Sequence, residues 1–205
     1  MEQKVTRLFN ETCSLIGDKK YSAALSKCNE ALSFEPDNEE LLFLKTQIYA
    51  HLGEKSKAIE ESEKLLGENP EMECAVQIIL QFDNQMKTLA KNIIAKNESL
   101  RKKAISDLSK MNRPSAAFLL SQCIIHDEEL YSEAADALYH MGPSTIPFLY
   151  QAFLKTVQAP CAVAYSTISY FGDAAIPYLH EILKKGGDEY HINELIKHIE
   201  EKNKK

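Results

Sequence analysis

The segment EAADALYHMGPSTIPFLYQAFL at residues 133–154 has a second version, CAVAYSTISYFGDAAIPYLHEIL, at residues 161–183. In both versions a glycine (Gly142 or Gly172) precedes a proline by five residues, and a leucine follows two residues later. Small and apolar residues recur on both sides of the glycine at helical spacing. Helical segments that repeat at a fixed length are typical of stacked helix pairs, because each pair buries its apolar face against its neighbours. This segment therefore predicts an all-α helical-repeat fold.

The 30-residue spacing extends over the whole C-terminal part of the chain. Three series of residues align at this spacing: Met86, Ala116, Ile146 and Ile176; Leu89, Leu119, Leu149 and Leu179; and Ala104, Ala134 and Ala164. We predict four helix pairs within residues 84–201, at about 84–96 with 99–111, 114–126 with 128–141, 144–155 with 158–171, and 174–185 with 188–201. In the last helix we expect Ile192, Leu195 and Ile199 in the core, and residues 202–205 to form a frayed tail.

A different spacing, of 34 residues, governs the N-terminal part. It aligns Leu8 with Leu42, Thr12 with Thr46, Ala24 with Ala58, and Pro36 with Pro70. These residues predict helices over 3–17, 21–34, 39–52 and 55–68. A third unit fails because Asn92 occupies the position that needs a small residue. We therefore expect residues 71–83 to cap the first array, with a helix over 71–82 whose core residues are Cys74, Val76, Ile79 and Leu80.

Both parts of the chain resemble known repeat families. YSAALSKCNEALSFEPDN and KSKAIEESEKLLGENP, within residues 1–70, resemble a pair of tetratricopeptide repeats. The pairs within residues 84–201 resemble short HEAT repeats of the phycobilin-lyase kind. This resemblance implies a right-handed superhelix that acts as a non-enzymatic adaptor or scaffold and presents concave grooves to a protein or peptide.

Composition agrees with a soluble globular protein. Of 205 residues, 44% are apolar and 26% charged, and the net charge of −6 argues against a general nucleic-acid binder. The N-terminus does not resemble a secretory signal, and the longest apolar stretch, residues 116–125, is too short to span a bilayer. Five cysteines without CxxC spacing predict structural thiols in a reducing compartment, most of them as small buried residues. We expect a cytoplasmic protein without membrane contact.

Sequence motifs for chemistry are missing from the chain. GxxxxGK, GxGxxG, GxSxG and HExxH do not occur, so we expect no catalytic residue, no cofactor and no small-molecule substrate. HEAT-like iron hydroxylases carry His-Glu pairs where this chain has Lys102-Lys103, Ser132-Glu133 and Ala162-Val163. Bilin-lyase activity stays open as an alternative that rests on repeat type alone.

Two histidines in the last helix need separate consideration. His191, Glu194 and His198 lie along one side of that helix, and such a set can bind zinc. We favour the alternative that this side is the solvated face of a capping helix. We therefore expect no metal site.

The helix faces that remain after the core is assigned predict the partner site. In a tetratricopeptide pair the first helix of each repeat lines the groove; in HEAT-type pairs the second helix does. The residues expected to contact a partner are Phe9, Phe43, Gln47, Lys102, Lys103, Lys110, Asp136, Tyr139, His140 and Tyr170. We expect the four aromatic residues, Phe9, Phe43, Tyr139 and Tyr170, to be solvent-accessible on concave faces. A core role for the two phenylalanines is an equal alternative.

The chemical character of the predicted contact residues changes along these helices, from basic through acidic to aromatic. Such a mixed surface is better suited to one particular protein partner than to a uniformly charged one. A weak nucleic-acid interaction through the basic cluster Arg101–Arg113 is a further alternative. Glu133 and Asp136 argue against it, because they stand where a phosphate track needs lysine or arginine.

Overall fold

The computed structural model describes residues 2–203. Within these residues it contains thirteen α-helices, two short 3-10 turns and no β-strand. The predicted all-α helical-repeat class is confirmed. The chain divides into two compact units, residues 1–87 and residues 88–205.

Unit 1 is built from consecutive helix pairs. Its helices are α1 (Glu2–Gly17), α2 (Tyr21–Leu32), α3 (Glu39–His51), α4 (Lys55–Glu68) and α5 (Glu73–Phe82). Each helix packs against the next one in the chain, and α5 contacts both α3 and α4. Every predicted helix of this region is present, with each end within two residues of its predicted position.

Small side chains at the aligned positions of unit 1 are buried in its core. Ala24 and Ala58 are fully buried, as their 34-residue spacing predicts, and a larger side chain there would push paired helices apart. Thr12 and Thr46 are also fully buried, and their hydroxyls donate to helix carbonyls at 2.8 and 2.7 Å. These internal hydrogen bonds allow a polar residue to repeat inside an apolar core.

The cap helix α5 corrects one prediction. Cys74 was expected in the core but is exposed, whereas Ala75, Val76, Ile78 and Ile79 are buried. The buried positions form one continuous stripe at helical spacing, and Cys74 lies outside that stripe. The predicted core role is therefore confirmed for Val76 and Ile79, wrong for Cys74, and only partly met by Leu80, which is half-buried.

Unit 2 stacks its helices in two layers. Helix α6 (Asn84–Asn92) contains the boundary between the units, and the other helices are α7 (Glu98–Ser109), α8 (Pro114–His126), α9 (Tyr131–Met141), α10 (Ile146–Lys155), α11 (Gln158–Tyr170), α12 (Ile176–Lys184) and α13 (Glu189–Asn203). One layer contains α8, α10 and α12 in series; the other contains α7, α9, α11 and α13. Consecutive helices pair between the layers, so the 30-residue spacing corresponds to one helix pair.

The core follows the three aligned series of residues, all of which lie in unit 2 except Met86. All aligned positions of the three series are buried except Ile176, which is half-buried. Ile192, Leu195 and Ile199 are also buried, which confirms their predicted core role in α13. Helix α13 continues to Asn203, so two residues of the expected frayed tail are helical, while residues 204 and 205 lie outside the described residues.

Several helices of unit 2 begin or end away from their predicted positions. Helix α9 begins at Tyr131 rather than 128, because the Asp127 carboxylate accepts the backbone N–H groups of Glu129 and Leu130 and holds a turn. Helix α6 ends at Asn92, four residues early. The 3-10 turns Pro143–Thr145 and Gly172–Ala175 precede α10 and α12.

Candidate functional site

The exposed side of α7, α9, α11 and α13 carries most of the residues predicted to contact a partner. All seven of those in unit 2 are exposed: Lys102, Lys103, Lys110, Asp136, Tyr139, His140 and Tyr170. We call this surface, together with Glu133, Phe171 and Lys202, the α7–α13 face. The sequence alignment of core residues did not include these positions. The layer formed by α7, α9, α11 and α13 places them next to one another.

Side-chain contacts connect the α7–α13 face from one helix to the next. The Lys102 ammonium of α7 lies 4.0 Å from the Glu133 carboxylate of α9. The Tyr139 ring, also on α9, lies 4.9 Å from the Phe171 ring at the end of α11. The Lys202 ammonium of α13 lies 5.1 Å from the centre of the Tyr170 ring. Residues that are 30 or more positions apart in the sequence therefore form a continuous surface.

Two tyrosines dominate the aromatic part of this face. The exposed fraction is 40% for Tyr139 and 69% for Tyr170. Phe171 is half-buried beneath Tyr139, and His140 contacts the same ring edge-on at 5.8 Å. Tyrosine offers a large rigid apolar area and a hydroxyl, and it is enriched at protein–protein interfaces. This part of the face is suited to contact with another protein.

The α7 end of the face is of mixed charge. Lys102 pairs with Glu98 at 2.6 Å as well as with Glu133, and these carboxylates, Glu98 above all, raise the pKa of Lys102. Lys110 lies 3.6 Å from Asp107. The expected basic part of the surface is thus accompanied by acidic side chains. It does not form the uniform positive track that a phosphate backbone requires.

Arg101 is held inside the fold and is not part of a nucleic-acid surface. Only 12% of its side chain is exposed; its guanidinium lies 2.9 Å from Asp127 and also pairs with Glu129. It donates hydrogen bonds to the carbonyls of Ala95 and Lys96 at 3.1 and 3.3 Å. The interpretation of Arg101–Arg113 as a phosphate-binding cluster is therefore wrong for Arg101, because its charge is already balanced by two carboxylates.

The predicted partner residues of unit 1 are less accessible. Phe9, Phe43 and Gln47 are half-buried, and Phe9 packs against the core that includes Leu8 and Ala24. Phe9 therefore contributes to the edge of the core, which was the alternative open for both phenylalanines.

The side of α13 that carries His191, Glu194 and His198 is solvated at Glu194, which is exposed, but only partly at the two histidines. His191 and His198 are half-buried, and their rings lie 5.3 Å from Phe153 and 5.6 Å from Tyr165. These aromatic residues come from α10 and α11, so the cluster could not be read from α13 alone. Within residues 2–203, no three His, Cys, Asp or Glu side chains are arranged to hold a metal ion.

The five cysteines differ in burial. Cys28 and Cys123 are buried, and burial raises their pKa to about 11 and about 12. Cys161 is half-buried, whereas Cys13 and Cys74 are exposed, so the expectation of small buried residues holds for only part of the set. None of the helices in the described residues is both long enough and apolar enough to span a bilayer.

Comparison with known proteins gives a weak similarity in structure. No protein-family model matches the chain. No curated protein matches it either. Among solved structures, the chain is similar to a tetratricopeptide repeat protein from Parabacteroides merdae ATCC 43184, with 21% identity and a TM-score of 0.37. The similarity covers 95% of this chain and 84% of that one. With so low a TM-score, we assign neither family nor function from it.

Proposed function

We propose that this chain is a non-enzymatic adaptor that binds a protein or peptide partner on the α7–α13 face. The observation that carries the proposal is the continuity of that face: contacts at Lys102–Glu133, Tyr139–Phe171 and Tyr170–Lys202 join four helices. Exposed tyrosines lie at its centre. A surface held by packed helices is already in shape before binding, so little conformational entropy is lost on association.

We also propose a repeat assignment and a compartment. Residues 1–70 would be two tetratricopeptide repeats, residues 71–83 a capping helix, and residues 84–201 four HEAT-like pairs. The buried Ala24 and Ala58 and the two-layer stack of unit 2 support this assignment. The five cysteines form no disulfide, which supports a reducing compartment such as the cytoplasm.

Tyr139 and Tyr170 are the residues whose removal should weaken binding most. Large aromatic side chains at the centre of an interface commonly cost about 2 kcal/mol or more when truncated to alanine, and this corresponds to about a thirtyfold loss of affinity. The charged residues nearer the α7 end, such as Lys102, are largely solvated. Truncating them should affect the association rate more than the affinity.

The test compares three forms of the protein as bait in lysate of the native host: the natural chain, the double variant Tyr139→Ala/Tyr170→Ala, and Tyr190→Ala. Tyr190 is a matched control because it is 72% exposed but lies at the opposite end of α13 from Lys202. A protein retained by the first and third baits and lost by the second is then purified and titrated calorimetrically. We expect about a thirtyfold weaker affinity for the double variant. Equal affinity for all three forms would exclude this face as the partner site.

A further inference from the structure

Unit 2 contains a pocket that no sequence motif indicated. It has a volume of about 510 Å³ and opens between the end of α6, the start of α7 and the C-terminal half of α8. Buried apolar side chains form its floor, among them Ile93, Leu119 and Cys123. Polar side chains, including Lys96 and Glu128, stand around the opening. This size and this division into an apolar floor and a polar rim are typical of ligand-binding pockets.

Arg101 holds the two walls of the pocket together. Its guanidinium binds the carbonyls of Ala95 and Lys96 in one wall and the carboxylates of Asp127 and Glu129 in the other. The Asp127 carboxylate is in turn tied to the backbone of its own turn. The pocket is therefore preformed, which reduces the entropy lost when a side chain enters it.

Negative charge is in excess around the opening. Asp127, Glu128 and Glu129 line the pocket against two cationic side chains, Arg101 and Lys96. Arg101 pairs with both Asp127 and Glu129, which leaves a net charge of about −1 among these three side chains. Glu128 and Lys96 are both exposed at the rim. The C-terminal end of α8, at His126, adds the partial negative charge of its last carbonyl groups. A cationic group is therefore favoured over an anionic one at the rim.

Ile94 extends the apolar surface beyond the floor of the pocket. It lines the opening and is 81% exposed, which is unusual for an isoleucine. A side chain that enters the pocket would contact Ile94 on its way in and would remove both apolar surfaces from water. This contact adds a hydrophobic contribution without any rearrangement of the fold.

We propose that this pocket is the anchor site for a partner protein segment that carries one bulky apolar side chain next to lysine or arginine. The apolar side chain occupies the floor, and the neighbouring cation lies against Glu128. The inference rests on the proposed adaptor function. The pocket borders the α7–α13 face, because Arg101, which lines the pocket, is followed directly in α7 by Lys102 of that face.

The test uses three capped synthetic peptides with the intact chain: Lys-Lys-Leu-Lys-Lys, the same peptide with alanine in place of leucine, and Glu-Glu-Leu-Glu-Glu. Binding is followed by NMR of the isoleucine and leucine methyl groups. We expect the first peptide to shift the methyl signals of Ile93, Ile94 and Leu119. The alanine peptide should bind about tenfold more weakly, because most of the buried apolar area is lost. The acidic peptide should shift none of these signals.

Two exposed positions allow the site to be altered without disturbing the core. Glu128→Lys should weaken binding of the leucine peptide about fivefold, as expected for a solvated charge pair. Ile94→Ala should weaken it about threefold. Glu60→Lys makes the same charge change at an exposed position of α4 in unit 1, and it should leave the affinity unchanged.

Three results would overturn the inference. One is an absence of shifts in the pocket methyl signals at millimolar peptide; another is equal affinity for the leucine and alanine peptides. The third is a dimer in sedimentation equilibrium that Ile94→Ala dissociates, because the occupant would then be a second copy of this chain. If the pocket fails these tests while Tyr139→Ala/Tyr170→Ala still weakens partner binding about thirtyfold, the anchor site is wrong and the adaptor function stands.

Discussion

Replacement of Arg101 by methionine should destabilise unit 2 by about 3 kcal/mol. Arg101 and Asp127 are only 12% and 15% exposed, so their pair at 2.9 Å is largely removed from water. Loss of one partner from a buried pair costs about 3 to 5 kcal/mol, since it leaves an uncompensated charge. We take the lower end because Asp127 keeps two backbone N–H donors, from Glu129 and Leu130.

A double-mutant cycle separates the pair from its surroundings. Asp127→Asn preserves an oxygen that can accept the two backbone hydrogen bonds, so we expect it to cost only about 1 kcal/mol. In that background Arg101→Met should also cost about 1 kcal/mol, which leaves a coupling energy of about 2 kcal/mol. Glu129→Gln is the matched control: Glu129 contacts the same guanidinium but is 68% exposed, and its loss should cost about 0.5 kcal/mol or less.

Urea unfolding followed by tyrosine fluorescence is a suitable assay. Seven of the nine tyrosines lie beyond residue 87, so the signal reports mainly on unit 2. The chain has no tryptophan to obscure it. Additive effects of Arg101→Met and Asp127→Asn, within about 0.5 kcal/mol, would refute the buried pair. So would a Glu129→Gln variant that is as unstable as Arg101→Met.

Three further predictions concern thiols, close packing and a helix cap. At about pH 8 in the native state, iodoacetamide should modify the exposed Cys74 but not Cys123, because burial raises the pKa of Cys123 to about 12. Peptide mapping that finds both cysteines modified at equal rates would contradict this expectation. Gly187→Ala should lower the melting temperature, because an added Cβ would lie 2.6 Å from an isoleucine methyl group and 2.9 Å from a backbone oxygen. Gly17→Ala is the control: an added Cβ there has no neighbour within 4 Å, so the substitution should be neutral or slightly stabilising. Asn38→Ala should lower the free energy of unfolding in urea by about 1 kcal/mol, because the Asn38 side chain caps α3 by accepting a hydrogen bond of 3.1 Å from a backbone N–H. A change near zero would show that water replaces the cap.

Much of the fold could be predicted from the sequence, because helix formation and burial follow the spacing of apolar residues along the chain. Ala24 and Ala58 are buried as the 34-residue alignment indicated, and Leu149 and Leu179 are buried as the 30-residue alignment indicated. Helix ends were less predictable. The turn before α9 depends on one side chain, Asp127, folding back onto its own backbone. A residue pattern that continues through such a turn does not reveal it.

The candidate site was only partly predictable. The exposure of Tyr139 and Tyr170 could be predicted, because both residues remain on the helix surface once the core positions are assigned. Their contacts with Phe171 and Lys202 could not, because these contacts depend on how α9, α11 and α13 pack side by side. For His191 the sequence suggested solvent, yet a phenylalanine of another helix packs against its ring. Sequence spacing shows which side of a helix is polar. It does not show which distant side chain covers that side.

Residue spacing and side-chain size were enough to predict the helices, the length of each helix pair and the small residues in their cores, because 3.6-residue periodicity and side-chain volume act within a single helix or helix pair. The roles of the charged and aromatic residues, in contrast, depend on how the helices pack together. Arg101 is the clearest example: its sequence neighbours Lys102 and Lys103 suggest a basic surface, while the fold buries it against Asp127 and Glu129 and closes a pocket with it. The physical reason is that electrostatic and aromatic contacts depend on distances between residues far apart in the chain, and the packing of the layers sets those distances.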